Sequence, residues 1–140
     1  MKKIERLHAR GTVFRYPYAW QPEDPAGPQP KDRPVCLLLE LETSAGAVFL
    51  GIVAISDKPN KERGMSMPVP ADEMKRAGLT DMRMAYVHLD QYNIDRRSNS
   101  YTYDPKVQPM GAFSRAFTAA LAETLAQNIR TRRALRIDRA

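Results

Sequence analysis

The sequence predicts a mainly β domain with some α (α+β): a small barrel or curled sheet that carries a short inserted helix and a C-terminal amphipathic helix. Three observations carry that prediction. Two nearly continuous apolar runs, residues 34–41 and 47–55, flank the turn-forming Ser44-Ala45-Gly46 and read as a core hairpin. Residues 11–18 are rich in β-formers. After Gly111, a stripe of Phe113, Phe117, Ala120, Leu121, Leu125 and Ile129 recurs at helical spacing.

Taken in order, residues 11–18 form a first strand with Thr12, Phe14, Tyr16 and Tyr18 on one face and Val13 and Arg15 on the other. Residues 19–31 form a Pro-rich loop, because Pro22, Pro25, Pro28 and Pro30 remove amide donors and Gly27 adds a turn signal. A proline-rich excursion of that length is either a functional flap or a disordered insertion. The charged turn Lys31-Asp32-Arg33-Pro34 then feeds the first core run. Beyond the hairpin, residues 57–64 are charged and loop-like, and Met65, Met67 and Val69 alternate as a short strand. Pro70 begins a helix over 71–77, with Asp72 and Glu73 in its first turn and Gly78 where a left-handed cap falls. Residues 83–92 read as a strand, with Ala85, Val87 and Leu89 facing one way and Met84, Tyr86, His88 and Asp90 the other. Residues 93–109 read as polar and irregular, with a short strand at 100–103. The closing helix packs its stripe on the sheet.

A chain of 140 residues has room for one domain with its own core. Its 43% hydrophobic and 27% charged residues place it among ordinary folded proteins rather than disordered ones. The single cysteine, Cys36, lies inside an apolar run, so no intrachain disulfide is expected and a reducing, cytoplasmic home is. No window approaches the roughly 18 apolar residues needed to span a bilayer, and Glu5, Arg6, His8 and Arg10 interrupt any signal-peptide core. The net charge of +6 is uneven, because the basic tail at 130–140 carries five arginines against Asp138 alone. Such a tail touches nucleic acid or an acidic partner, or else it is a solvated helix end whose arginines complement the helix dipole.

The residues limit the chemistry. With two histidines, His8 and His88, and one cysteine, there is no cluster at zinc spacing, and neither metal nor cofactor is expected. No Gly-rich phosphate loop, HExxH or GxSxG pattern is present, so metal catalysis and triad hydrolysis lack their signatures. What remains is arginines and hydroxyls at strand ends. Arg33 leads a buried strand, so its backbone is fixed while its planar fork of donors faces outward, which suits a phosphate. The alternative is a plain salt bridge to Asp32 or Asp24. Ser56 ends the second core run, where its hydroxyl emerges into solvent or simply forms a turn. His88 reads as surface or dimer packing more often than as a general base.

Taken together these segments resemble a known family. Arg10-Gly11-Thr12-Val13-Phe14, Asp32-Arg33-Pro34-Val35-Cys36-Leu37-Leu38-Leu39, Val53-Ala54-Ile55-Ser56 and Leu89-Asp90-Gln91-Tyr92-Asn93-Ile94-Asp95 follow in one order. With the closing amphipathic helix, that order resembles the MazF/PemK toxins of type II toxin–antitoxin systems, over residues 9–129. The Pro-rich loop and the Lys31–Pro34 and Ser56–Pro59 segments are most similar to its PemK-like branch.

The resemblance implies an SH3-like barrel, a homodimer, a cognate antitoxin partner, and metal-independent cleavage of single-stranded RNA. The RNA's own 2′-hydroxyl would attack the adjacent phosphorus, leaving 2′,3′-cyclic phosphate and 5′-hydroxyl ends. Arg33 matches the family's catalytic arginine, and Ser56 stands where the family usually has threonine. Gln91 matches a glutamine that holds RNA. Tyr18 and Trp20 would stack on bases or pack at the loop base, and Asp90 would orient a neighbouring arginine or be a plain interface residue. Asn93 stands where many relatives carry arginine. The same resemblance admits an alternative, a non-catalytic binding module on the same barrel. That module would be either a gyrase-inhibitor-like protein or a degenerate member that only binds RNA or protein.

Overall fold

The computed structural model describes residues 8–20, 30–60 and 65–139. Its elements in chain order are β1 (Thr12–Tyr18), β2 (Lys31–Glu42), β3 (Val48–Ser56), β4 (Ser66–Pro68), α1 (Ala71–Arg76), β5 (Tyr86–His88), β6 (Gln91–Arg96), β7 (Gly111–Ala112), α2 (Arg115–Arg130) and β8 (Leu135–Asp138). The strands form a curled sheet in the order β4-β5-β3-β2-β1-β7, with β6 pairing both β3 and β8. Every pairing is antiparallel except β6–β8. The chain is thus mainly β with two helices, as the sequence predicts.

The β2–β3 hairpin is the centre of the sheet, and it is apolar over residues 35–38 and 50–55, where both of its faces are buried. Val35, Leu37, Leu50, Ile52 and Ala54 join Phe14, Tyr16, Tyr18 and Tyr103 in one core layer. Cys36, Leu38, Val53 and Ile55 turn to the other, where Val87, Leu89, Leu121 and Leu125 cover them. A strand buried on both faces reads as a continuous apolar run rather than an alternating one. A bulge between Leu37 and Leu39 shifts the register and bends the ladder, as an extra residue does. The hairpin turn holds Gly46 at φ +85, a conformation that glycine adopts without a side-chain clash.

The expected 83–92 strand is two strands with a break. The Leu89 amide donates to the Met65 carbonyl at 2.8 Å, and the Leu89 carbonyl accepts from Asn128 Nδ2 at 2.9 Å. The Asp90 carbonyl accepts from the Leu135 amide at 2.9 Å. These partners lie outside the β3 ladder, so the chain breaks there between β5, held between β3 and β4, and β6, which pairs with β3 and β8. The segment read as irregular after Asn93 is therefore strand to Arg96, while 100–103 is not strand. Instead Ser100 and Thr102 donate their hydroxyls to Asp95, which also accepts from Tyr16 Oη at 2.7 Å. That carboxylate, fully buried, holds the 97–109 segment over the Tyr16 layer.

Two further departures concern the ends of elements. The basic tail is not simply solvated, because Leu135–Asp138 adds a parallel strand beside β6. Arg139 Nη1 donates to the Pro17 carbonyl at 2.6 Å. The Lys31–Pro34 turn is also strand, in register with Tyr18 to Arg15. Residues 21–29, the rest of the Pro-rich loop, lie outside the described residues, as do 61–64 of the charged loop.

Both helices follow their local signals. Gly78 sits at φ +71 behind α1, and a Cβ there would lie 2.3 Å from the Met110 carbonyl oxygen. Ser114 caps α2 by accepting from the Phe117 amide, and Glu73 accepts from both the Ser114 amide (2.7 Å) and its hydroxyl (2.6 Å). The buried stripe is Thr118, Leu121, Leu125 and Asn128, with Phe117 and Ile129 beside it. Ala120, expected in the stripe, is exposed.

Replacing Asp95 with alanine strands the Tyr16, Ser100 and Thr102 hydroxyls without their common acceptor. The expected cost is about 3 kcal/mol of unfolding free energy, read as a lowered urea midpoint. A loss below about 0.5 kcal/mol would show that the network holds nothing.

Candidate active site

The site forms where four strands end. Val35 and Ala54 are paired across the hairpin, so Arg33 and Ser56, each two residues further along, fall on the same face at the rim of the Tyr16–Tyr18 layer. Ser56 lies opposite Tyr86 in the β3–β5 ladder, which sets His88 diagonally across from it on one face. Trp20 follows the end of β1. The sheet's curl thus gathers residues that are 13 to 68 positions apart.

Contacts run through this group in a chain. Ser56 Oγ lies 2.6 Å from His88 Nε2 and donates to the Lys58 carbonyl at 2.9 Å. The Trp20 ring meets His88 edge-on at 5.1 Å and Tyr18 edge-on at 5.1 Å. The Arg33 guanidinium carbon sits 4.9 Å from the Trp20 ring centroid, within cation–π range. Arg33 thus touches the indole directly and Ser56 reaches it through His88, and both lie at one rim of the sheet.

Among the described residues no acceptor engages Arg33 Nε. Its sequence neighbour Asp32 is taken by Arg15 at 2.7 Å, which removes that salt-bridge alternative, while Asp24 lies outside the described residues. Arg33 Nε, Tyr18 Oη and Asp90 Oδ1 are buried atoms with no hydrogen-bond partner among the described residues. Buried polar atoms are nearly always paired in folded proteins; Arg97 Nε and Thr118 Oγ1 are also without partners elsewhere, and the grouping of three here makes this neighbourhood the candidate site.

The electrostatics agree. Burial pulls the Arg33 guanidinium below its ordinary pKa, against the Tyr18 phenol. Burial also raises the Tyr18 phenol, with Asp90 adding to the rise and Arg33 opposing it. His88 is lowered chiefly by burial and further by Arg33, while Asp90 and the Lys58 carbonyl act the other way. The result is a neutral imidazole against a hydroxyl, beside a permanent cation. Such a set can orient and charge-stabilise a phosphate and can move a proton.

The other expected residues fall around this centre. Tyr18 is fully buried beneath Trp20. Asp90 occupies the break between β5 and β6. Gln91 opens β6 in register with Leu135 and is 9% exposed, so little of it faces outward. Asn93 is a structural clamp: its side-chain carbonyl accepts from the Ala19 amide at 2.9 Å and its Nδ2 donates to the Ala19 carbonyl at 2.8 Å. His88, expected at the surface or in dimer packing, is 6% exposed and so is not a surface residue, and it lies in the site. The only sequence signal for it was its parity with Asp90 on the non-core face. His8 lies elsewhere, with Nδ1 2.5 Å from Tyr103 Oη and its ring stacked on Phe14. Burial pushes the Cys36 thiol well up, which makes it unreactive. Among the described residues no group of His, Cys, Asp or Glu could hold a metal ion, and no helix is long and apolar enough to cross a membrane.

Both imidazoles are held below the ordinary histidine value of 6.5, His8 also chiefly by burial. A folded-state pKa below the unfolded one means that the unfolded chain binds the proton more readily. Their neutral-state stability is therefore complete above about pH 6.5 and falls as the pH drops through that value. Imidazole C–H resonances are expected to titrate with midpoints below 6.5 for both residues. A midpoint above 6.5 for His88 would show that its neutral form is not the favoured one.

No family model and no curated protein matches the chain.

Proposed function

We propose that the protein is a metal-independent endoribonuclease acting on single-stranded RNA, with the SH3-like barrel of the MazF/PemK toxins. In this reading it is the cytoplasmic toxin of a type II toxin–antitoxin pair, a homodimer neutralised by a cognate antitoxin. One observation supports the reading: Trp20 lies against both Arg33 and His88, and His88 in turn touches the Ser56 hydroxyl, so a cation and a hydroxyl flank one tryptophan at the rim of the sheet. RNA supplies its own nucleophile, so the protein needs only to align the 2′-oxygen, phosphorus and 5′-oxygen and to stabilise the charge that develops.

Arg33 takes the phosphorane oxygens, since a fork whose Nε has no internal partner can turn its donors to phosphate. Ser56 Oγ stands beside the attacking group. Trp20 is the base platform, because Tyr18 is buried under it and supports the indole rather than meeting a base. Gln91 and Asp90 lie at the β5–β6 break, with Asp90 in electrostatic reach of His88 and Tyr18, and help to hold the RNA. Serine in place of threonine loses the methyl that restricts the rotamer. Here the contacts with the Lys58 carbonyl and His88 hold the hydroxyl instead.

Induced expression is expected to arrest growth and to produce new 5′-hydroxyl RNA ends. Purified protein should cleave a single-stranded oligonucleotide equally well in excess EDTA. Arg33→Ala should lower kcat/KM by about 10²- to 10³-fold, the scale of a lost charge-stabilising donor, and Ser56→Ala should also abolish arrest. Arrest that survives both substitutions without new RNA ends would replace this reading with inhibition through protein contact.

A further inference from the structure

We infer that His88 is the proton acceptor behind Ser56, so that the two side chains together take the proton from the attacking 2′-hydroxyl. The inference rests on the ribonuclease reading above and adds a residue and a proton path to it. Its foundation is geometric. Nε2 lies 2.6 Å from Ser56 Oγ, a distance at which a hydroxyl and an imidazole share a proton. The ring is held there by the Trp20 edge on one side and by its own strand, paired to β4 at Ser66, on the other. His88 is 6% exposed while Ser56 is half-buried, so substrate meets the hydroxyl and reaches the imidazole only through it. His88 is thus a positioning residue in the relay, and Ser56 is the group that touches RNA.

The proton path balances. With its proton on Nδ1, His88 presents the Nε2 lone pair to Ser56. The Ser56 hydroxyl swings from the Lys58 carbonyl to donate to Nε2, which frees an Oγ lone pair for the incoming 2′-hydroxyl. As the 2′-oxygen bonds to phosphorus, its proton passes to Oγ and the former Oγ proton passes to Nε2. The P–O5′ bond breaks with its electron pair on the 5′-oxygen, which takes a proton from water at the open Arg33 side. The imidazolium that forms later returns its proton to solvent through the same hydroxyl. Among the described residues, the charged groups acting on His88 are Arg33 of β2 and Asp90 past the end of β5. On β4, the residue in register with it, Ser66, is uncharged. Arg33 favours the neutral imidazole before attack, and Asp90 favours the imidazolium afterwards.

The test is the pH dependence of kcat/KM for a single-stranded RNA oligonucleotide between pH 4.5 and 8.5. Wild type is expected to show an acid limb with its midpoint below 6.5, matching the His88 resonance. His88→Gln should lose about 10²-fold in rate, the contribution of one general base, and its acid limb should vanish. Its affinity for the uncleavable 2′-deoxy oligonucleotide should stay within about twofold. Ser56→Ala removes only a half-buried hydroxyl, so it serves should His88→Gln fail to fold. It too is expected to lose the acid limb while retaining the His88 resonance. Wild-type cleavage with an acid limb that persists in Ser56→Ala would overturn the relay and leave the ribonuclease standing. Wild type that binds the deoxy oligonucleotide but cleaves no RNA would overturn both.

Discussion

The structure depends on burying the β2–β3 hairpin on both faces. A sheet covered on one side needs a single apolar face; this one must supply two cores from two strands, and the alternation of Val35 and Leu37 against Cys36 and Leu38 does so. Coverage then dictates the rest of the fold. α2 and the β4–α1–β5 segment must lie over one face, and the Tyr103 segment over the other. The hairpin's rim is left for function because it is the part neither cover reaches.

Covering a sheet on both sides forces polar groups inside, and several of these are answered by specific clamps. Asn93 offers its amide to the Ala19 backbone much as a strand neighbour would, tying the end of β1 to β6. Asp95 gathers three hydroxyls, and Glu73 joins α1 to the cap of α2. The clamps satisfy buried donors and acceptors at low dielectric, where an unpaired group is costly. This is why the orphaned atoms at Tyr18, Arg33 and Asp90 stand out: the same chain satisfies comparable groups a few residues away.

Features set by local pattern were legible before the fold was known. The hairpin, α1 with its Gly78 cap, α2 and the first strand all come from periodicity and turn chemistry. β6 was not legible, because Gln91-Tyr92-Asn93-Ile94-Asp95-Arg96 reads as polar; only Ala19, Tyr16 and the Ser100–Thr102 hydroxyls make Asn93 and Asp95 fit a buried strand. β8 was missed because four residues after a helix carry no strand signal until β6 is there to pair with. In the site, the parity of Arg33 and Ser56 follows from hairpin register and could be read in advance. The partnership of Ser56 with His88 could not, because it depends on where β5 breaks.

That break also explains how one short segment serves two ends. Were residues 83–92 one continuous strand along β3, Asp90 would be a ladder residue like its neighbours. The carbonyls of Leu89 and Asp90 instead bond to Asn128 and Leu135, which turns the chain and leaves the Asp90 side chain within electrostatic reach of His88 and Tyr18. Arg15, meanwhile, occupies Asp32 on the far side of the β1–β2 ladder. A carboxylate that could have neutralised Arg33 is thus consumed by another arginine, and the one that stays near is not bonded to it. Among the described residues the Arg33 Nε has no acceptor, and the sheet geometry brings its guanidinium to Trp20.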